Sequence, residues 1–128
     1  GAWRIIGVRV RVWTARAAYA ASKGGVIAFM KACAVDLAAH GITVNSVSPG
    51  PIATPQTADL HGPTIRHAVE AAVPLGRYGD AEEVAAAIAF LLSDDARFVS
   101  GHDLVVDGAL TAAAIRYDRA RADAEIRR

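Results

Sequence analysis

Apolar and polar positions alternate with a two-residue period at the start of the chain. Val8, Val10 and Val12 are separated by Arg9 and Arg11, so residues 4–12 are predicted as a strand with one solvated face. From 17 to 40 there is no proline, apolar residues are spread around a helical wheel, and Gly41 follows where a left-handed C-cap belongs. This predicts a long, mostly buried helix. The β-branched run 42–48 reads as a second strand, closed by Pro49-Gly50, with a loop rich in Pro and Thr continuing to about residue 57. A short helix is predicted over 63–73, with Pro63 in its first turn. A break at 74–79 precedes Asp80, which caps a further helix with Glu83 three residues on and ends near Ser93-Asp94. Residues 103–107 read as a last strand, stopped by Gly108.

Strands linked through helices in this order describe a parallel α/β sheet. Two or three strands leave an edge of 4–12 or of 42–48 unpaired. The tail from 113 to 128 alternates Arg with Asp and Glu and is predicted as a frayed, exposed helix.

The 128 residues amount to about one domain, and 53% hydrophobic content with 21% charged residues excludes a disordered chain. Alanine fills 29 positions, which favours helix but supplies little volume per buried side chain. The net charge of +1 is unevenly spread. Residues 1–35 carry six basic groups and no acid, and 36–110 carry ten acids against three bases. No aromatic stacking pattern accompanies the basic start, so no nucleic-acid partner is expected. Residues 1–16 form an atypical basic segment. Lys23 and Gly24-Gly25 interrupt the apolar stretch 17–30, so neither a signal peptide nor a membrane span is predicted. The single Cys33 forms no internal disulfide and fits a reducing, cytoplasmic setting, and no Cys/His cluster has metal-ligand spacing.

Tyr19 and Lys23 are four residues apart, which puts both side chains on one helix face. A phenol is a poor acid or base at neutral pH unless a nearby positive charge favours its anion, and an ammonium one turn away supplies that charge. The run Tyr19-Ala20-Ala21-Ser22-Lys23-Gly24-Gly25-Val26 is followed by Asp36-Leu37-Ala38 and by the stretch from Ile42 to Pro55, ITVNSVSPGPIATP. Pro74-Leu75-Gly76-Arg77, Glu82-Glu83-Val84-Ala85, Leu91-Leu92-Ser93, Ser100-Gly101 and Val106-Asp107-Gly108 then come in order. Over residues 17–112 this set resembles the C-terminal half of a short-chain dehydrogenase/reductase, part of a doubly wound Rossmann-like sheet.

The resemblance implies hydride transfer between NAD or NADP and an alcohol or carbonyl carbon of a small-molecule substrate. Tyr19 would give or take the hydroxyl proton, and Lys23 would assist it and hydrogen-bond the nicotinamide ribose. The loop Pro49, Gly50, Pro51, Ile52, Ala53, Thr54 would pass beside the nicotinamide, with backbone near Ile52 and the Thr54 hydroxyl holding its carboxamide. Residues 55–73, with Thr57, Leu60, His61, Thr64 and His67, would select the substrate, whose identity their mixed chemistry leaves open. Ser22 and the Gly24-Gly25 pair read as helix packing, and the four histidines receive no catalytic role.

The sequence also departs from the family pattern. No glycine-rich phosphate-binding fingerprint is present, so the residues that distinguish NAD from NADP are missing. The family's catalytic serine lies about thirteen residues before the tyrosine, where this chain has Ile6. The activity expected of the chain itself is therefore weak or nil. The rival expectation is a non-catalytic interaction module that assembles as a homo-oligomer through helix 17–40 and strand 103–107.

Overall fold

The computed structural model describes residues 4–8 and 17–113. Three strands, β1 (Arg4–Val8), β2 (Thr43–Pro49) and β3 (Asp103–Val106), form a parallel sheet in the order β1-β2-β3. Arg4 pairs with Thr43 and Val8 with Val47, while Ser46 pairs with Asp103 and Pro49 with Val106. Parallel neighbours need crossovers. The first is α1 (Ala17–Leu37), and the second is the series α2 (Pro55–Leu60), α3 (Pro63–Ala72) and α4 (Ala81–Leu92).

The α/β class and the parallel sheet follow the sequence expectation, and the exceptions have local causes. Residues 9–12 of the expected first strand and 114–128 of the expected tail helix lie outside the described residues. β2 is the central strand, paired on both sides, so among the described residues the outer edges belong to β1 and β3 rather than to 42–48. The loop expected to reach residue 57 stops at Thr54. There the Thr54 hydroxyl accepts the Thr57 N–H at 3.2 Å and the Thr57 hydroxyl accepts the Thr54 N–H at 2.8 Å, a reciprocal cap that starts α2 at Pro55.

α1 is long, as its uninterrupted pattern requires, and Gly41 ends the following 3-10 turn (Ala38–His40) at φ +69°. It is not mostly buried. Only Met30 and Ala34 are buried, packed with Val44 and flanked by Ile27, Cys33, Leu37 and Ile42, whereas Phe29 and Val35 are 72% and 77% exposed. One apolar stripe meets the sheet, and the remaining apolar residues have no layer of described residues above them. No described atom lies within 4 Å of where a Cβ on Gly24 or Gly25 would stand, so these glycines are not sites of close packing among the described residues. Exposed Ser22 instead donates its hydroxyl to the Tyr19 carbonyl at 2.7 Å.

β2 is buried from Val44 to Ser48, as a central parallel strand should be, yet that buried stretch carries three polar side chains, Asn45, Ser46 and Ser48. Each is satisfied. Asn45 donates to the Val99 carbonyl at 2.9 Å and accepts the His102 N–H at 3.1 Å. Ser46 and Ser48 both donate to Asp103 Oδ1, at 2.6 and 2.7 Å. These bonds lash the segment before β3 to the central strand and fix the register on which the loop after β2 depends.

Candidate active site

α1 returns from the far end of the sheet. Its C-terminal end leads through Gly41 directly into β2, and its 21 residues span about 30 Å, so its N-terminal turns lie toward the edge where β1 and β2 end. Ligands of open α/β sheets bind outside that carboxyl edge. Tyr19 and Lys23 occupy those turns, both half-buried, with Lys23 Nζ 5.7 Å from the centre of the Tyr19 ring. That is within reach of a cation–π attraction. The expected juxtaposition of phenol and ammonium is therefore present.

The loop after β2 leaves the sheet at the same edge. Pro49 ends the strand, and the Gly50 N–H donates to the Val106 carbonyl at 2.8 Å. A Cβ on Gly50 would stand 2.7 Å from Asp107 Cα, so only glycine lets the two strand ends run this close. Beyond it the chain pairs with Gly79: the Gly79 N–H donates to the Pro51 carbonyl at 2.9 Å, and the Ala53 N–H donates to the Gly79 carbonyl at 2.8 Å. The Ile52 carbonyl accepts the Thr57 hydroxyl at 3.0 Å. The Thr54 hydroxyl is engaged in capping α2, so any ligand contact must share it with that cap.

A cavity of about 590 Å³ opens beside this loop, lined by Pro51, Ile52, Val73, Leu75 and Val105 among others. It lies on the β3 side. Tyr19, Lys23, Pro49, Gly50 and Thr54 are not on its walls, so the candidate site is the exposed sheet edge rather than this cavity.

The stretch 77–80 that pairs with the loop is itself braced, which the sequence did not reveal. Arg77 makes two hydrogen bonds to the Glu83 carboxylate, at 2.7 and 2.8 Å, and donates to the Tyr78 carbonyl at 2.9 Å. Glu83 also accepts the Asp80 N–H at 2.8 Å, the half of the capping box that spacing predicts. The Arg77 hydrogen bonds, then the Asp80 N–H, hold the Glu83 carboxyl down to about 2, and Glu83 raises Arg77 in turn. The Tyr78 ring is buried, and its hydroxyl lies 2.8 Å from His61 Nδ1. A contact between residues 17 positions apart leaves no triad or ligand spacing in the sequence. Among the described residues, no three His, Cys, Asp or Glu side chains gather to hold a metal ion, and no helix is long and apolar enough to cross a membrane.

Residues 5–111 match the family model described as enoyl-(acyl carrier protein) reductase. The chain is 55% identical over 97 residues to cyclopentanol dehydrogenase of Comamonas sp. (strain NCIMB 9872), covering 75% of this chain and 39% of that protein. It is 46% identical over 95 residues to the 3-oxoacyl-(acyl-carrier-protein) reductase FabG of Escherichia coli (strain K12), covering 74% and 38%. The chain thus spans about two fifths of the length of these curated relatives. Among solved structures, a gluconate 5-dehydrogenase from Burkholderia cenocepacia J2315 in complex with NADP and tartrate superposes with a TM-score of 0.80 at 33% identity, over 87% of this chain and 46% of that one. With a parallel α/β sheet in place and the family match running through all three of its strands, the chain belongs to the short-chain dehydrogenase/reductase family.

Proposed function

We propose that this chain carries the proton-transfer half of an NAD(P)-dependent oxidoreductase acting at an alcohol or carbonyl carbon. The observation that carries the reading is the Tyr19–Lys23 pair, half-buried at the sheet edge where the 49–54 loop emerges. The residues present fit the nicotinamide-ribose end of the cofactor: an ammonium donor, a phenol, and a loop whose close turn at Gly50 is fixed by backbone. Bound there, the cofactor supplies or accepts the hydride. Tyr19 Oη gives a proton to the carbonyl oxygen in reduction and takes it in oxidation, and the Lys23 ammonium stabilises the phenolate in between. Lys23 also donates to the ribose, and Pro49, Gly50, Ile52 and Thr54 form the wall that orients the ring. The choice between NAD and NADP rests on residues this sequence does not contain. The unpaired Cys33 supports a reducing, cytoplasmic setting.

A second reading is favoured by exposed Phe29 and Val35 on α1 and by Val105, 42% exposed on β3. Apolar residues left open on these elements support self-association, so the chain acts as a homo-oligomer or, if catalytically silent, as an association module alone. Titration with NADH and NADPH, followed by nicotinamide fluorescence, separates the two. Saturable binding supports the oxidoreductase, and specific association without nucleotide binding supports the module.

A further inference from the structure

α2 and α3 form an excursion between Thr54 and Val73 that is exposed almost throughout, with Val69 its one buried side chain. Its first end is fixed by the Thr54–Thr57 cap and its last by burial of Val69 and Val73. Between them, at the C-cap of α2, His61 turns its ring toward Tyr78: Nδ1 lies 2.8 Å from the phenol oxygen, and the ring centres are 6.1 Å apart, tilted by 54°. Tyr78 is a rigid post. It is 6% exposed, Arg77 holds its carbonyl, and the next residue, Gly79, is paired with the 51–53 backbone. The Arg66 guanidinium, on α3, lies 5.3 Å from the centre of the same ring and is bonded to Glu70 at 3.1 Å. Both helices of the excursion therefore converge on one phenol.

We propose that the His61–Tyr78 hydrogen bond is the tether that fixes the α2–α3 excursion to the braced 77–80 stretch, making His61 and Tyr78 positioning residues for the segment that selects the substrate. The assignment of substrate selection to that segment rests on the oxidoreductase reading; the tether itself does not. Burial raises the Tyr78 phenol above its ordinary range, and its hydroxyl pairs with His61 Nδ1, the ring's tautomer deciding which of the two donates. Neither residue touches the reacting atoms. Their effect is to hold one position of an excursion with little other anchorage, the kind of segment whose local opening lies far below global unfolding.

Amide hydrogen exchange on the full chain, without nucleotide, tests this. Tyr78→Phe removes only the hydroxyl, and His61→Leu removes its ring partner. Each is expected to speed exchange over 55–72 by about two- to tenfold, the weight of one hydrogen bond, with α1 and β2 unchanged. The double variant should exceed neither single by more than about twofold, because the same bond is lost. His61→Asn, whose amide keeps a hydrogen-bonding atom close to the position of Nδ1, should return exchange to within about twofold of the parent. The proposal is overturned if Tyr78→Phe leaves 55–72 unchanged, if exchange rises equally in α1 and β2, if the two substitutions add, or if Asn rescues no better than Leu. Loss of the oxidoreductase reading shows instead as absent nucleotide binding with these exchange effects intact.

Discussion

Replacing Gly50 by alanine probes the point where the loop after β2 depends on the sheet. Gly50 does not have a positive φ, so the backbone tolerates alanine and the question is one of space. The new Cβ would stand 2.7 Å from Asp107 Cα, 2.8 Å from its Cβ and 3.2 Å from its carbonyl oxygen. Ordinary carbon contacts begin near 3.5 Å, so the ends of β2 and β3 must part by about 0.8 Å. Two of the three obstructing atoms are backbone, and no rotamer change relieves them. Overpacking of this kind costs about 1–3 kcal/mol, and straining the 2.8 Å Gly50 N–H to Val106 bond adds up to about 1 kcal/mol. Against this, alanine stiffens the unfolded chain by about 0.4–1 kcal/mol. The clash wins, leaving a net destabilisation of about 1–3 kcal/mol. With a urea slope of about 1–2 kcal/mol per molar, that lowers the unfolding midpoint by about 0.5–3 M. Gly24→Ala is the matched control: its Cβ meets no described atom, and alanine in an exposed helix should gain about 0.5–1 kcal/mol. A Gly50→Ala midpoint equal to or above the parent, with Gly24→Ala behaving as stated, would mean that the strand ends yield without cost and that the close approach at Gly50 is not a constraint.

Three further outcomes follow from the same contacts. Glu83 is held at about 2 against an ordinary 4.5, so it contributes stability that is fully present above the unfolded value and lost as pH falls from about 4.5 toward 2. Acid titration of the unfolding midpoint should show this loss, and Glu83→Gln should flatten it. Thr54→Val removes the cap oxygen of α2 and should cost about 0.5–2 kcal/mol, read as faster amide exchange over 55–60 or a lower midpoint, whereas Thr54→Ser should restore most of it. In the chain complemented by a glycine-rich half, Tyr19→Phe should lower turnover by about 10²–10⁴-fold with nucleotide affinity nearly unchanged, and a rate within about threefold of the parent removes Tyr19 from proton transfer.

The parts of the fold that sequence made legible are those written in local spacing. The 17–40 helix stopped by Gly41, the Asp80–Glu83 cap and the β-branched run before Pro49 each encode their structure within a few residues. Tyr19 and Lys23 were legible for the same reason, since an i, i+4 pair on a helix must share a face. What escaped depends on long-range packing. The sequence overstates the burial of α1 because an alanine-rich helix with apolar residues all round looks enclosed, whereas only the stripe through Met30 and Ala34 meets the sheet. α2 escapes a periodicity reading because six residues give too short a signal, although Thr54-Pro55 with Thr57 spells its cap. The Gly50–Asp107 approach joins residues 57 positions apart, and the His61–Tyr78 contact joins residues 17 apart, so neither has a spacing to read.

If Tyr19 and Lys23 face a nicotinamide cofactor at the end of the sheet, fluorescence titration of NADH and NADPH into the parent chain, Lys23→Ala and Tyr19→Phe will register it. Binding to the parent should be weak but saturable, lost or sharply weakened by Lys23→Ala and nearly unchanged by Tyr19→Phe, since the ammonium is assigned to the ribose and the phenol hydroxyl to the substrate. Saturable binding that Lys23→Ala leaves intact, or no saturable binding of either nucleotide to the parent, contradicts that assignment.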